Sequence, residues 1–194
     1  MGAIKLVLPD HLGDIPLWKY QQLMKLDADD KDYEDNVFTI FTGIKDIENV
    51  QKKDFDDVIN HVKKACEQTG EFKRTFTIDG IDFGLIPNFD KITGTSNGGE
   101  YCDMINYFKN VEDGYNPTLD RFTAVVYRPI SAKDKLGNYK IEPYNGTSGH
   151  IEQINKLPMS IVFGCLGFFL SLSNELESHI QACILEAQVR AQSH

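Results

Sequence analysis

The chain has 194 residues, enough for one domain, and its 41% apolar content with 12 Phe and 8 Tyr can supply a packed core. A formal net charge of −9 at pH 7 argues against non-specific binding to polyanions, so neither nucleic acid nor an anionic membrane is an expected partner. Cys66, Cys102, Cys165 and Cys183 form no CxxC pair and no cysteine–histidine run at zinc spacing. Cys165 and Cys183 fall in apolar or amphipathic stretches, where cysteine acts as a small buried hydrophobe.

The N-terminus, MGAIKLVLPDHLGD, lacks a basic segment followed by a long apolar one, so no secretory signal is expected. The myristoylation pattern fails because Leu6 stands where Ser or Thr is required. A first helix opens at Ile15-Pro16, with Leu17, Trp18, Tyr20, Leu23, Met24 and Leu26 at helical spacing and Asp14 as the cap. A second runs from about Asp32 to Thr42, turning Val37, Phe38, Ile40 and Phe41 inward and stopping at Gly43. A third, capped by Asp54, carries Phe55, Val58, Ile59, Val62 and Ala65, and Gly70 closes this N-terminal helical region, 1–70.

Between 71 and 89 the period changes to two. Phe72, Arg74, Phe76 and Ile78 alternate with polar residues, Asp79-Gly80 makes a hairpin turn, and Ile81, Phe83 and Leu85 return before Pro87. The glycine-rich stretch Thr93–Gly99 reads as a loop. The remainder, 98–194, is expected to be helical. Its helices cover Glu100–Asn110, Leu119–Tyr127 (ended by Arg128-Pro129), the uncharged stretch Leu157–Ser173, and a last one from about Asn174. Ser131–Thr147 is expected to be loop with a short extended piece at Tyr139-Lys140-Ile141. Leu157–Ser173 is short for a membrane span and is interrupted by serines and glycines, which predicts a buried core helix instead. The expected fold is therefore a single α+β domain, mainly α and bundle-like, around one small antiparallel hairpin.

No catalytic, cofactor or metal site emerges from residue chemistry, and the expectation is a protein that is not an enzyme. No two of His11, His61, His150, His179 and His194 stand at HxxxH or HExxH spacing, and no carboxylate or nucleophile near His150 in sequence marks a site. Gly94–Gly99 has no lysine for a phosphate loop, and Gly146-Thr147-Ser148-Gly149 is one residue short of GxSxG. The run Asp27–Asp32 fails as a calcium loop at Lys31 and Asp32, leaving a solvated connection or an acidic surface for a basic partner. Asn145-Gly146-Thr147 is a formal glycosylation sequon without a secretory context.

Several stretches resemble a family of small tailed-bacteriophage proteins. They are Asp14-Ile15-Pro16-Leu17 with Tyr20, then Ile40–Ile44, Phe76–Asn88 and Gly99–Asp103. Ala124–Ile130, Tyr139–Tyr144 and the apolar helix running into Ser173-Asn174-Glu175-Leu176 complete the series. The resemblance implies a bacteriophage morphogenesis protein, acting as a chaperone-like factor in tail assembly, or a structural part of the mature virion in neck, tail or capsid. Its implied partners are other phage structural or tail proteins, with a homo-oligomer also open. Its implied place is the host cytoplasm during assembly or the virion itself. The sequence departs from that family's pattern in the TGTSNGG insert before Glu100-Tyr101. Candidate partner-binding residues are Trp18 and Tyr20 on the first helix and Tyr127 and Arg128 at a helix end, residue types enriched at interface hot spots. For Arg128 a structural role remains open, capping helix carbonyls or pairing with a carboxylate such as Glu142.

Overall fold

The computed structural model describes residues 6–67, 70–87, 98–112 and 118–171. The helix expected from Asn174, most of the TGTSNGG loop, and Cys183, His179 and His194 lie outside them. Seven helices are described: α1 Leu17–Leu23, α2 Tyr33–Thr42, α3 Lys52–Cys66, α4 Gly98–Glu112, α5 Leu119–Val126, α6 Ile151–Asn155 and α7 at 159–171. Four strands, β1 Thr75–Ile78, β2 Ile81–Leu85, β3 Tyr127–Lys133 and β4 Tyr139–Ile141, form one antiparallel sheet in the order β1-β2-β3-β4. The fold is α+β.

Pro16 occupies the cap position of α1, and Asp14 belongs to a preceding 3-10 turn. The Asp14 carboxylate accepts the backbone N–H groups of Asp10 and His11 at 3.1 and 3.0 Å, so it caps that turn and not α1. Pro16 lies opposite Pro158 in an isolated antiparallel bridge. The hydrogen bonds flank the prolines: Leu17 N–H to the Leu157 carbonyl at 2.8 Å and Met159 N–H to the Ile15 carbonyl at 2.9 Å. Neither missing proline N–H is needed there, and the entry to α1 is tied to the entry to α7.

Helix α2 ends as expected, with Gly43 at φ 74° and its N–H bonded to the Thr39 carbonyl. Helix α3 starts earlier than expected, with Gln51 at the cap and Asp54 inside the first turn, where the helix dipole favours a carboxylate. Gly70, expected to end the third helical segment, serves a different purpose. A Cβ there would lie 2.3 Å from the Gly164 nitrogen, and a Cβ on Gly164 would lie 2.2 Å from the Glu71 carbonyl carbon. The chain entering β1 crosses α7 backbone against backbone, and Glu71 N–H reaches the Ser160 carbonyl at 2.8 Å.

The β1–β2 hairpin is as predicted, with Ile78 opposite Ile81 and both Asp79 (φ 51°) and Gly80 (φ 77°) left-handed, as a two-residue turn requires. The expectation of an isolated hairpin is corrected by β3 and β4. Helix α5 stops at Val126, not Tyr127, because Tyr127, Arg128 and Pro129 pair with Leu85, Gly84 and Phe83. Pro129 disfavours a helical Arg128, and pairing to β2 fixes the extended alternative. Part of the expected 131–147 loop is likewise sheet, with Ile130 opposite Ile141 and a bulge before Ala132.

The core lies between this sheet and the helices. Phe83 and Tyr127 from the strands meet Phe122 and Val125 of α5 and Val162 and Cys165 of α7, all at 1% exposure or less. Helix α7 also buries Met159, Ile161, Leu166 and Phe169. At roughly 1.5–3 kcal/mol for each large apolar side chain, this helix is a main contributor to stability. Its burial agrees with the core-helix expectation, and among the described residues no helix is long and apolar enough to cross a membrane.

Candidate functional site

The four candidate partner-binding residues fall into two places with opposite character. Helix α1 leaves Trp18 40% exposed and Tyr20 half-buried, the Tyr20 ring meeting Phe163 of α7 edge-on at 5.2 Å. Burial raises the Tyr20 pKa above its ordinary value, with the Cys66 thiol adding to the effect. Beside Trp18 the segment before α1 and the end of α2 enclose a cleft of about 360 Å³, with Val7, Pro9, Pro16 and Phe41 as apolar walls and Asp10 and Asp14 among its polar lining. The Lys19 ammonium lies 5.5 Å from the Trp18 ring centre and 5.6 Å from that of Phe41. Lys19 thus faces two rings, Trp18 exposed and Phe41 buried.

Tyr127 and Arg128 sit on β3, where alternation sends them to opposite sides. Tyr127 is 1% exposed, and its hydroxyl donates to the Lys73 carbonyl. Tyr127 as a surface contact is therefore corrected: pairing to β2 turns its ring into the core against Phe76. Burial, then the neighbouring Cys165 thiol, raises the Tyr127 pKa well above its ordinary value.

Arg128 takes the structural role left open above, with a different carboxylate. Its Nη2 meets Glu100 Oε1 at 2.7 Å, and the two side chains are only 12% and 7% exposed. Glu100 is in the first turn of α4, where the helix N-terminus also favours its charge. Desolvation lowers the Arg128 pKa, and Glu100 opposes that shift. The guanidinium centre lies 5.8 Å from the Tyr144 ring, and the Tyr144 hydroxyl donates to Asp103. Among the described residues, Arg128 Nε and Nη1 have no protein acceptor.

A second cleft, of about 200 Å³, opens beside Arg128 and is lined by the 142–150 loop, including Asn145, Thr147 and Ser148. Glu142, one carboxylate that could have paired with Arg128, instead meets His150 Nε2 at 3.2 Å. The His150 ring stands edge-on to Phe83 at 5.9 Å, at the start of α6. The seven residues between Glu142 and His150 loop out and return to bring the two side chains together. The pair orients an imidazole, but among the described residues neither the Thr147 nor the Ser148 hydroxyl hydrogen-bonds to it.

The acidic run 27–32 is a pair of Asx turns: Asp27 accepts the Asp29 N–H at 3.0 Å and Asp30 the Asp32 N–H at 3.1 Å. Among the described residues, no group of three or more His, Cys, Asp or Glu side chains is placed to hold a metal ion. No protein-family model matches the chain, and neither a curated protein nor a solved structure shows significant similarity to it.

Proposed function

We propose that this chain is a non-enzymatic bacteriophage assembly protein that acts in tail morphogenesis by binding other phage proteins through the α1 surface. The observation that carries the binding part is the exposed Trp18 on α1, whose neighbour Lys19 lines a cleft of mixed apolar and charged character. Tryptophan is among the residue types most enriched at interface hot spots, and here it adjoins a concave surface that offers a partner both apolar and charged groups. The phage part rests on the sequence stretches that resemble small tailed-phage proteins.

Affinity purification of the tagged chain from phage-producing cells, followed by mass spectrometry, tests the reading. The expected result is enrichment of tail or other structural proteins with the native chain, and loss of most of that enrichment with Trp18→Ala. Equal enrichment with both would remove α1 as the binding surface. Mass spectrometry of purified particles separates an assembly factor, absent or in trace amount, from a structural part of the virion, present in near-stoichiometric copies.

A further inference from the structure

The turn joining β3 to β4 is braced more tightly than its exposure requires. Asp134 Oδ1 accepts the N–H groups of Leu136 (2.9 Å) and Asn138 (2.8 Å), and Oδ2 accepts the Asn138 side-chain amide at 2.7 Å. The Asp134 N–H returns to the Asn138 carbonyl at 2.9 Å, and Gly137 supplies the left-handed residue at φ 87°. These bonds hold the Asp134 carboxyl below its ordinary pKa, the Asn138 side chain contributing most. At the apex stands Leu136, 88% exposed, the most exposed large apolar side chain among the described residues. Fixing an apolar side chain on a rigid tip removes in advance the ordering cost that a flexible loop would meet on binding.

The tip is also a basic island on an acidic chain. Lys133, Lys135 and Lys140 flank Leu136, and the sole carboxylate between 131 and 141 is Asp134, already committed to the turn. Lys133 is paired with Asp82, whereas Lys135 and Lys140 are exposed and in no ion pair among the described residues. The cleft next to Lys19 has the complementary charge: the two carboxylates of Asp10 (paired with His61 at 3.1 Å) and Asp14 outnumber the one Lys19 ammonium in its lining. Val7, Pro9 and Phe41 contribute apolar surface, and the volume exceeds what one leucine side chain needs. A chain of net charge −9 repels its own copies, so self-association is favoured where a basic part meets an acidic one.

We propose that the chain self-associates head to tail, the Leu136 tip of one copy entering the cleft beside Trp18 of the next. This deepens the reading of the α1 surface as a protein-binding surface and rests on it. The contact is heterologous, since tip and cleft are different patches, so a pair of copies still has one free tip and one free cleft and can add further copies at either end. It is also small, which makes the association weak and salt-sensitive.

Sedimentation velocity of the full chain, from micromolar to near-millimolar concentration at low salt, tests the proposal. The native chain is expected to form species larger than a monomer as concentration rises. Leu136→Asp damages only the tip and Val7→Lys only the cleft, both at highly exposed positions, so circular dichroism and melting should match the native chain. Each variant alone is expected to weaken association roughly tenfold or more. Mixed together, the intact tip of Val7→Lys meets the intact cleft of Leu136→Asp, giving a one-to-one dimer and nothing larger. A native chain that stays monomeric, or a Leu136→Asp variant that assembles like the native chain, overturns the proposal. So does a mixture that stays monomeric or grows beyond a dimer. If self-association fails while Trp18-dependent capture of phage proteins persists, the proposed function stands and only its assignment to a second copy falls.

Discussion

Trp18 on α1 and Tyr127 on β3 are both large amphipathic aromatics, each followed by a cation, Lys19 or Arg128, yet the fold uses them oppositely. Trp18 remains 40% exposed with Lys19 over its ring, while Tyr127 is sealed at 1% and Arg128 is paired with Glu100 behind it. The difference comes from backbone pairing. A helix of seven residues packs one stripe and leaves the rest to solvent, whereas β3 is fixed against β2 and covered by α5. An aromatic beside a cation therefore marks either an interface or a core anchor, and its secondary structure decides which.

Replacing Tyr127 should break the core side of that comparison most severely. Tyr127→Ala removes a filled aromatic site and leaves the Lys73 carbonyl without its donor, at a cost of about 4 kcal/mol in urea unfolding. Tyr127→Phe keeps the ring and loses only the hydroxyl, so about 1 kcal/mol is expected. If the two variants cost the same, packing is not what Tyr127 supplies. Arg128→Met comes next, because it strands the Glu100 carboxylate at 7% exposure, and about 3 kcal/mol should be lost. The double variant Arg128→Met with Glu100→Met should recover most of that loss, since no charge is then buried alone. A double variant as unstable as the single one would show that Arg128 acts through contacts other than this carboxylate.

Legibility in sequence followed the range of the interactions. The Asp79-Gly80 hairpin, the Gly43 stop and the buried 159–171 helix depend on neighbours a few residues away, and periodicity reads them directly. The sheet beyond the hairpin depends on Leu85 meeting Tyr127 and Phe83 meeting Pro129, contacts more than forty residues apart. Two local signals pointed there: Pro129, which favours an extended Arg128, and Gly137-Asn138 between Lys133 and Tyr139, which is turn chemistry between two extended runs. The partner of Arg128 carried no such signal, because Glu100 arrives from α4. Trp18 and Tyr20 were placed correctly on a helix, but their exposure depends on what α7 covers.

Alkaline pH should distinguish the same two regions by slope. Tyr127 and Cys165 both have raised pKa values through burial, Cys165 up to about 12 from an ordinary 9.0. For such groups the native state holds its proton more tightly than the unfolded chain. Their stabilising contribution is complete below the unfolded values, near 9 to 10, and is lost as pH rises toward the native ones. Each fully buried group should then steepen the fall by up to about 1.4 kcal/mol per pH unit. Tyr127→Phe should flatten the urea midpoint against pH above 10 more than Tyr20→Phe does, since Tyr20 is only half-buried although its pKa is raised too. Equal flattening would place the two tyrosines in equivalent surroundings, contrary to their burial.

The smallest expected effect on stability is the most informative about binding. Trp18→Ala removes a ring that is 40% exposed and lies outside the buried core, so unfolding should change by no more than about 0.5 kcal/mol. Association through the α1 cleft, in contrast, should fall by roughly tenfold or more, because truncating a central aromatic anchor commonly costs an interface over 1 kcal/mol. Stability unchanged with binding lost is the signature of a residue kept for a partner. A drop of about 3 kcal/mol in stability would instead make Trp18 a second Tyr127, an anchor of the fold that the solvent happens to touch.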